Sequence, residues 1–587
     1  MESNNNSTHN IIKMVLSDSE TEDSHHRIDL NKNENETRKS KTFTRFIPER
    51  IYLQPQIRKF VIYVLIFLII TGYTIGATVY FINHTNDLSW YAFNKTTAQG
   101  YGLLIILYLI YVWSLFYYYL LKPYGFPVIN AHAWKPGKAL LGKIKYGSLL
   151  FYACLLAATL IYLWFDTSDS KKRLRPLIGL SVFLIFGFLI SANHKHVPWH
   201  TVAWGIILQF SIGFLTIRWE LGRNVLETFS NHVNTFLDYG AEAAAFTYGP
   251  LLVNEEKVFA FRALSVIFLV GFVVNLLYYY GLMQRFINML GECLQYFMGT
   301  TICESVNSVA MAFVGMSEGP MMLRPYLKHL TDSELHSMML AGFACVSGST
   351  FAAYIIYGAR AQDLVTASIM SSPSALCFSK LLYPEVEEVK IKKEHVHMVE
   401  VEYTSAIDAA SKGATDAFHL IAAIISGVTA TLAFVYVING VLSWLGILLG
   451  FTDDANMWTL ELIAGKVFIP IAWIMGVEWH ECERVAQLIG IKTMVNEFVA
   501  FSKLKEMELS ARGRVIATYA ICGFSNPGSI GILVSTMAAL VPEKKENVSR
   551  LIFRAFVGGA LVCFMTACIA GILITDDALQ FDDGERN

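Results

Sequence analysis

A carboxylate inside apolar sequence is costly to keep, and this chain keeps two. Glu318 lies in Gly315-Met316-Ser317-Glu318-Gly319-Pro320, with Val309 to Val314 before it and Met321 to Leu323 after it. Glu497 lies in Asn496-Glu497-Phe498. At a similar interval beyond each comes a second polar break. The first is Gly342-Phe343-Ala344-Cys345-Val346-Ser347-Gly348-Ser349, the second Gly523-Phe524-Ser525-Asn526-Pro527-Gly528-Ser529. Glycine and proline interrupt a continuous helix, and irregular backbone at membrane depth survives only where protein buries it or it lines a wet cavity. A carboxylate, an amide and a hydroxyl together suit a solute with adjacent hydroxyls: the acid accepts, while Asn526 and Ser529 donate or accept. Glu318 and Glu497 are therefore read as binding residues rather than as ties to an arginine such as Arg324. Asn526 is also of the right type to cap a half-helix, and both roles are compatible. No nucleophile–base pair or metal set is visible, which argues against an enzyme. His480-Glu481-Cys482-Glu483 lacks the second histidine of a zinc helix, and Glu478 beside Trp479 is a weaker candidate, read as a tip residue.

The elements that hold these residues follow from composition. Of 587 residues, 54% are hydrophobic and 16% charged, with a mean hydropathy of +0.43. Soluble domains carry roughly 25% charged residues, so the chain reads as an all-α polytopic membrane protein whose surroundings are the lipid bilayer. A net charge of −2 gives no field that would attract nucleic acid. The nine cysteines include Cys154, Cys345, Cys522, Cys563 and Cys568, all in apolar segments, with no CxxC pair and no disulfide framework. Residues 1–50 have no early apolar core, so a cleavable signal is not expected.

In chain order, 1–55 reads as a disordered tail, and Arg45, Arg50, Arg58 and Lys59 before the first span (60–82) place it in the cytosol. Two sequons, Asn83-His84-Thr85 and Asn94-Lys95-Thr96, fall where that topology puts the outside. Spans at 101–121 and 149–165 complete a unit of three transmembrane helices (56–170). Within 171–283 come spans at 177–192, 202–217 and 259–283. Between the last two, 223–239 has Val225, Phe229, Val233, Phe236 and Leu237 on one helical face, the signature of a helix lying on the membrane or packed on a neighbouring subunit. Region 289–322, broken by Gly291, Gly299, Gly315, Gly319 and Pro320, is expected to form two half-length helices. A glycine-interrupted span (337–357) and a span at 364–382 follow. The charged loop 385–403, with His395 and His397, is read as solvated rather than metal-binding. The plan then repeats: a long helix from Thr404, an irregular stretch 458–496 with Gly465 and Pro470, a span broken around Asn526 (515–540), and a last span at 551–573. Paired interrupted segments in two halves (284–384 and 404–575) point to a transporter binding site. Residues 576–587 form an acidic tail.

Several of these stretches together resemble the concentrative nucleoside transporters. They are 315–327, Ser333-Glu334-Leu335-His336, Gly476-Val477-Glu478-Trp479, Gly490-Ile491-Lys492-Thr493 with Asn496-Glu497-Phe498-Val499-Ala500, 517–531 and 564–573, and the three N-terminal spans match the eukaryotic layout. The resemblance spans 175–575. It implies inverted repeats with two re-entrant hairpins and a homotrimer. It also implies a transport domain that moves, elevator-like, against a trimerisation scaffold in the plasma membrane, and no tightly bound cofactor. Carried over residue by residue, it gives Glu497, Asn526 and Ser529 to the ribose hydroxyls. Met316, Ser317 and Glu318 go to the base, and Phe524 to the pocket wall. The family's sodium positions fall on Met311, Val314, Cys345 and Val346.

The departures bear on the coupling ion. Met316-Ser317-Glu318 stands where the family has Gln-Thr-Glu, Met311 where sodium-coupled members have Asn, and Cys345 where they have Ser or Thr. Sulfur is a poor ligand for a hard cation, although Val314 and Val346 keep their carbonyls. Desolvation favours the neutral carboxyl, so Glu318 becomes the candidate for a coupling proton. The expectation is a nucleoside transporter that favours H+ over Na+. The alternatives are a sodium symporter using backbone ligands, a carrier for another ribosylated or polyol solute, and a nucleoside receptor that does not transport.

Overall fold

The computed structural model describes residues 55–83, 101–116, 147–167, 170–256, 258–316, 318–391, 403–451 and 457–575. The N-terminal tail, the sequon loop, the basic loop after the second span, His395 and His397, Ser317 and the acidic C-terminal tail lie outside them. The described residues form helices and no strand, a polytopic α-helical membrane protein as expected.

The chain divides into two units. The first holds α1 (Pro55–Asn83) and α2 (Tyr101–Phe116). Its helices meet where Tyr101 donates to Thr78 (2.9 Å) and stacks on Phe81 with ring centroids 4.4 Å apart. The second opens with α3 (Gly147–Asp166), α4 (Arg175–Leu189), α5 (Trp199–Gly213) and the amphipathic α6 (Glu220–Tyr248). One order of elements then occurs twice. The first set is α7 (Val266–Tyr279), the pair α8 (Leu282–Met298) and α9 (Ile302–Phe313), the short α10 (Glu318–Met322), the broken helix α11 (Asp332–Ala344) and α12 (Gly348–Ile356), and α13 (Ala361–Leu382). The second is α14 (Ala406–Leu448), the pair α15 (Leu460–Ile474) and α16 (Cys482–Met494), α17 (Glu497–Glu506), the broken helix α18 (Ala511–Ile521) and α19 (Pro527–Leu540), and α20 (Lys545–Leu573).

Local chemistry sets the key starts. Thr301 and Thr331 each form a capping box: the hydroxyl accepts from the amide of Glu304 or Glu334, and the glutamate accepts from the threonine amide (3.2 and 2.9 Å). Burial separates inner from outer helices. In the most apolar stretch of α20, 83% of residues are buried within the chain, against 17% in α14. At 1.5 Å per residue, the 43 residues of α14 span about 65 Å, roughly twice the hydrocarbon core. A helix of that length must tilt or project beyond the hydrocarbon core.

Several boundaries differ from the sequence reading. Region 289–322 holds parts of three helices, with breaks at 299–301 and 314–316. The expected span 259–283 is interrupted at 263–265 and ends at Gly281 (φ 68°). The amphipathic helix is longer than 223–239. Gly465 and Pro470 lie inside the regular α15. Gly291 is no break either, because its lack of a β-carbon serves packing: a β-carbon there would sit 2.7 Å from Val306 Cγ2 and 2.9 Å from Val306 Cα. The α8–α9 pair closes through this contact. Gly291→Leu is therefore expected to destabilise the protein by about 1–3 kcal/mol, read as a lower melting temperature of the solubilised protein. Unchanged melting would show that the pair can open without cost.

Candidate functional site

Two helix N-termini, α17 and α19, begin inside the protein and face each other. After α16 the chain turns at Val495 (φ −111°, ψ −87°) and extends at Asn496, whose Oδ1 accepts from the Val499 amide (3.0 Å). That makes Glu497 the first residue of α17. After α18 the chain runs through 522–526 before Asn526 caps α19, its Oδ1 accepting from the Ser529 amide (2.9 Å). The same Asn526 side chain donates through Nδ2 to Glu497 Oε2 at 2.6 Å. Glu497 is 2% and Asn526 3% exposed. The positive ends of two helix dipoles thus support a buried carboxylate. Asn526 performs both the capping and the site role that the sequence left open.

The opposite wall comes from the first repeat of elements. Gly315 takes φ 140°, a backbone that side chains rarely allow, and the Glu318 carboxylate lies against it at the start of α10. Met316, Glu318, Glu497, Phe524, Asn526 and Ser529 line one cavity, a concave site of mostly apolar wall with a few convergent polar groups. All six were singled out from the sequence, and the structure brings them to one cavity. It missed the wall contributed by α14, with Leu420, Ile424, Gly427 and Thr431, and the contribution of Thr350 from α12. Only Gly427 and Thr431, small and polar residues within an apolar helix, offered a signal. Arg324 is not among the residues lining this cavity. Glu478 lies elsewhere, pairing with Lys172 at 3.3 Å.

Met311, Val314, Cys345 and Val346 also converge, between the C-terminal end of α9 and the α11–α12 break. All four are buried. The Met311 thioether fills the space beside Gly319 and Gly342. Ser368 of α13 ties the two segments, donating to the carbonyls of Ala312 (2.9 Å) and Val346 (3.1 Å). The Val346 carbonyl thus accepts one hydrogen bond and keeps a second lone pair. One turn before Met311, Asn307 is fully buried with Oδ1 lacking a hydrogen-bond partner, and that oxygen faces Gly319.

Comparison with known proteins agrees across the second unit. The family model described as "Na+ dependent nucleoside transporter C-terminus" matches residues 363–571, its N-terminal counterpart 178–251, and the model described as "Nucleoside recognition" 260–361. The chain is 38% identical over 451 residues to "Sodium/nucleoside cotransporter 2" of Rattus norvegicus, covering 74% of this chain and 68% of that protein. It is 38% identical over 440 residues to "Sodium/nucleoside cotransporter 1" of Homo sapiens, covering 72% and 67%. Among solved structures, it superposes on CNTnw in an inward-facing substrate-bound state with a TM-score of 0.65 at 33% identity. That match covers 69% of this chain and 98% of the other.

The two roles of Asn526 are separable. Asn526→Ala removes both hydrogen bonds, whereas Asn526→Ser keeps a capping oxygen but cannot reach Glu497. The alanine variant should melt lower than the serine variant, by a difference equivalent to the roughly 0.5–2 kcal/mol of a cap. Equal melting would show that the cap contributes nothing here.

Proposed function

Because this chain belongs to the concentrative nucleoside transporter family, membrane carriers and not enzymes, we propose that it carries nucleosides across the plasma membrane. The observation that carries this reading is the buried Glu497–Asn526 pair in the wall of a cavity that both halves of the chain line. In it, Glu497 accepts from the ribose hydroxyls while Asn526 and Ser529 complete the set, and Met316, Ser317 and Glu318 face the base. Phe524 supplies an apolar wall. Met316 has neither donor nor strong acceptor, so the base is held with less hydrogen bonding than an amide would give. The repeated element order supports two inverted, hairpin-containing halves that move as a transport domain against a scaffold within a homotrimer. Positive charge before α1 supports a cytoplasmic N-terminus.

The coupling ion in this reading is H+, with Glu318 as its carrier. Met311 and Cys345 offer sulfur where a hard cation needs oxygen, and the Val346 carbonyl already accepts one hydrogen bond from Ser368. The residues at these four positions therefore fit sodium poorly. One observation favours sodium as the second reading: the unpartnered Asn307 Oδ1 is a hard donor one helical turn from Met311. Val314 retains its carbonyl as well.

Two uptake experiments in cells lacking other nucleoside carriers test these statements. Glu497→Gln should cut uptake at least about 10-fold at unchanged surface amount, since a hydrogen bond to a charged group is worth roughly 1.5–3 kcal/mol. A 2′,3′-dideoxynucleoside should be a poor substrate of the unaltered protein. Full uptake by the variant, or equal use of the dideoxy compound, would remove Glu497 from ribose recognition. Replacing sodium by choline should leave most uptake intact, and acidifying the medium should raise it. Steep sodium dependence that Asn307→Ala abolishes would establish the second reading instead.

A further inference from the structure

Lys492 is fully buried, 0% exposed, and its Nζ has no hydrogen-bond partner. An ammonium in such a place is among the costliest groups a protein can hold without a counter-charge. It stands in the last turn of α16, and Glu497 opens α17 immediately across the break. Each charge sits at the helix end that favours it, the cation at a C-terminus and the anion at an N-terminus. The two interact electrostatically without a direct hydrogen bond.

The other groups around Lys492 leave Glu497 as its acid. Tyr354 of α12 borders Glu497, and the thiols Cys345, Cys522 and Cys563 close the space at the ends of α11 and α18 and along α20. From α15, Lys466 pairs with Glu483 (2.6 Å), and Glu461 accepts from Asn439 (2.9 Å). Arg512 and Arg514 of α18 are spent on backbone carbonyls, those of Ile574 and Gly571 and of Leu504 and Met507. None of these replaces Lys492 behind the carboxylate.

We propose that Lys492 is a positioning residue of the ribose site, supplying the counter-charge for the Glu497 carboxylate that accepts from the ribose hydroxyls. Its ammonium makes no hydrogen bond of its own, so it takes none of the acceptor capacity of Glu497, which Asn526 and the neighbouring Tyr354 share with the sugar. This proposal rests on the assignment of Glu497 to ribose. Lys492 itself touches no substrate, which separates its role from that of Asn526.

The test measures affinity for a ribonucleoside and for its 2′,3′-dideoxy analogue, using purified transporter. Lys492→Met and Lys492→Gln should weaken ribonucleoside binding at least about 10-fold, the loss of one charge-assisted hydrogen bond, and leave the dideoxy analogue unaffected. The preference for ribose then collapses, whereas Lys492→Arg retains it. Proportionate loss of both ligands, or an unchanged preference in the neutral variants, would overturn the proposal. If neither neutral variant folds, the double change Lys492→Met with Glu497→Gln should restore folding by removing both charges together. Failure of that rescue would also overturn it. A different outcome, no ribose preference in the unaltered protein, would instead refute the assignment of Glu497.

Discussion

The hydrogen bond from Asn526 to Glu497 is the contact on which the surrounding architecture depends. Two helices begin inside the protein, and each leaves amides with no intrahelical partner. Water cannot satisfy them at that depth, so side chains must. Asn496 and Asn526 do so, and Asn526 uses its remaining amide hydrogens on the carboxylate. The site thus arises from the same chemistry that makes a broken helix tolerable. Irregular backbone, two positive helix ends and an acid support one another, and α20, buried along most of its apolar length, provides the dry wall behind them.

A second polar cluster fixes the first half. Glu304 and Glu334 close the capping boxes of α9 and α11, and Lys380 of α13 pairs with Glu304 and, at 3.4 Å, with Glu385. Lys380 also donates to Ser333 (2.8 Å), whose hydroxyl donates to the Tyr383 carbonyl (2.7 Å). Buried ion pairs give little net stability but a large penalty when half is removed. Their effect here is to fix where α9 starts. That choice determines where its other end, with Met311 and Val314, meets the α11–α12 break. Asp332 adds a tie from α11 to Arg550 and Asn547 of α20.

Shape and chemistry part company at that meeting. The backbone of α9 and of the α11–α12 break is held together by Ser368, so the geometry of the junction is kept. The side chains filling it are a thioether and a thiol. Dispersion and exclusion of water hold those sulfur-bearing side chains in place.

The sequence by itself determined the membrane class and the two broken regions, and it singled out six residues that the structure brings to one cavity. Each leaves a local mark: a carboxylate in apolar sequence, glycine and proline beside it, and an Asn-Pro-Gly at a helix start. It misjudged Gly291, Gly465 and Pro470, because a small or ring-closed residue looks the same whether it ends a helix or lets a neighbour approach. It could not find the α14 wall, since Leu420 and Ile424 look like any lipid-facing residues until a partner covers them. Nor could it single out Lys492, one basic residue within a recognisable motif. Burial of its ammonium, and the proximity of Glu497 across a helix break, exist only once α12, α15, α18 and α20 have closed around them. Local chemistry dictates where a helix can break; which groups then share a dry interior is decided by packing.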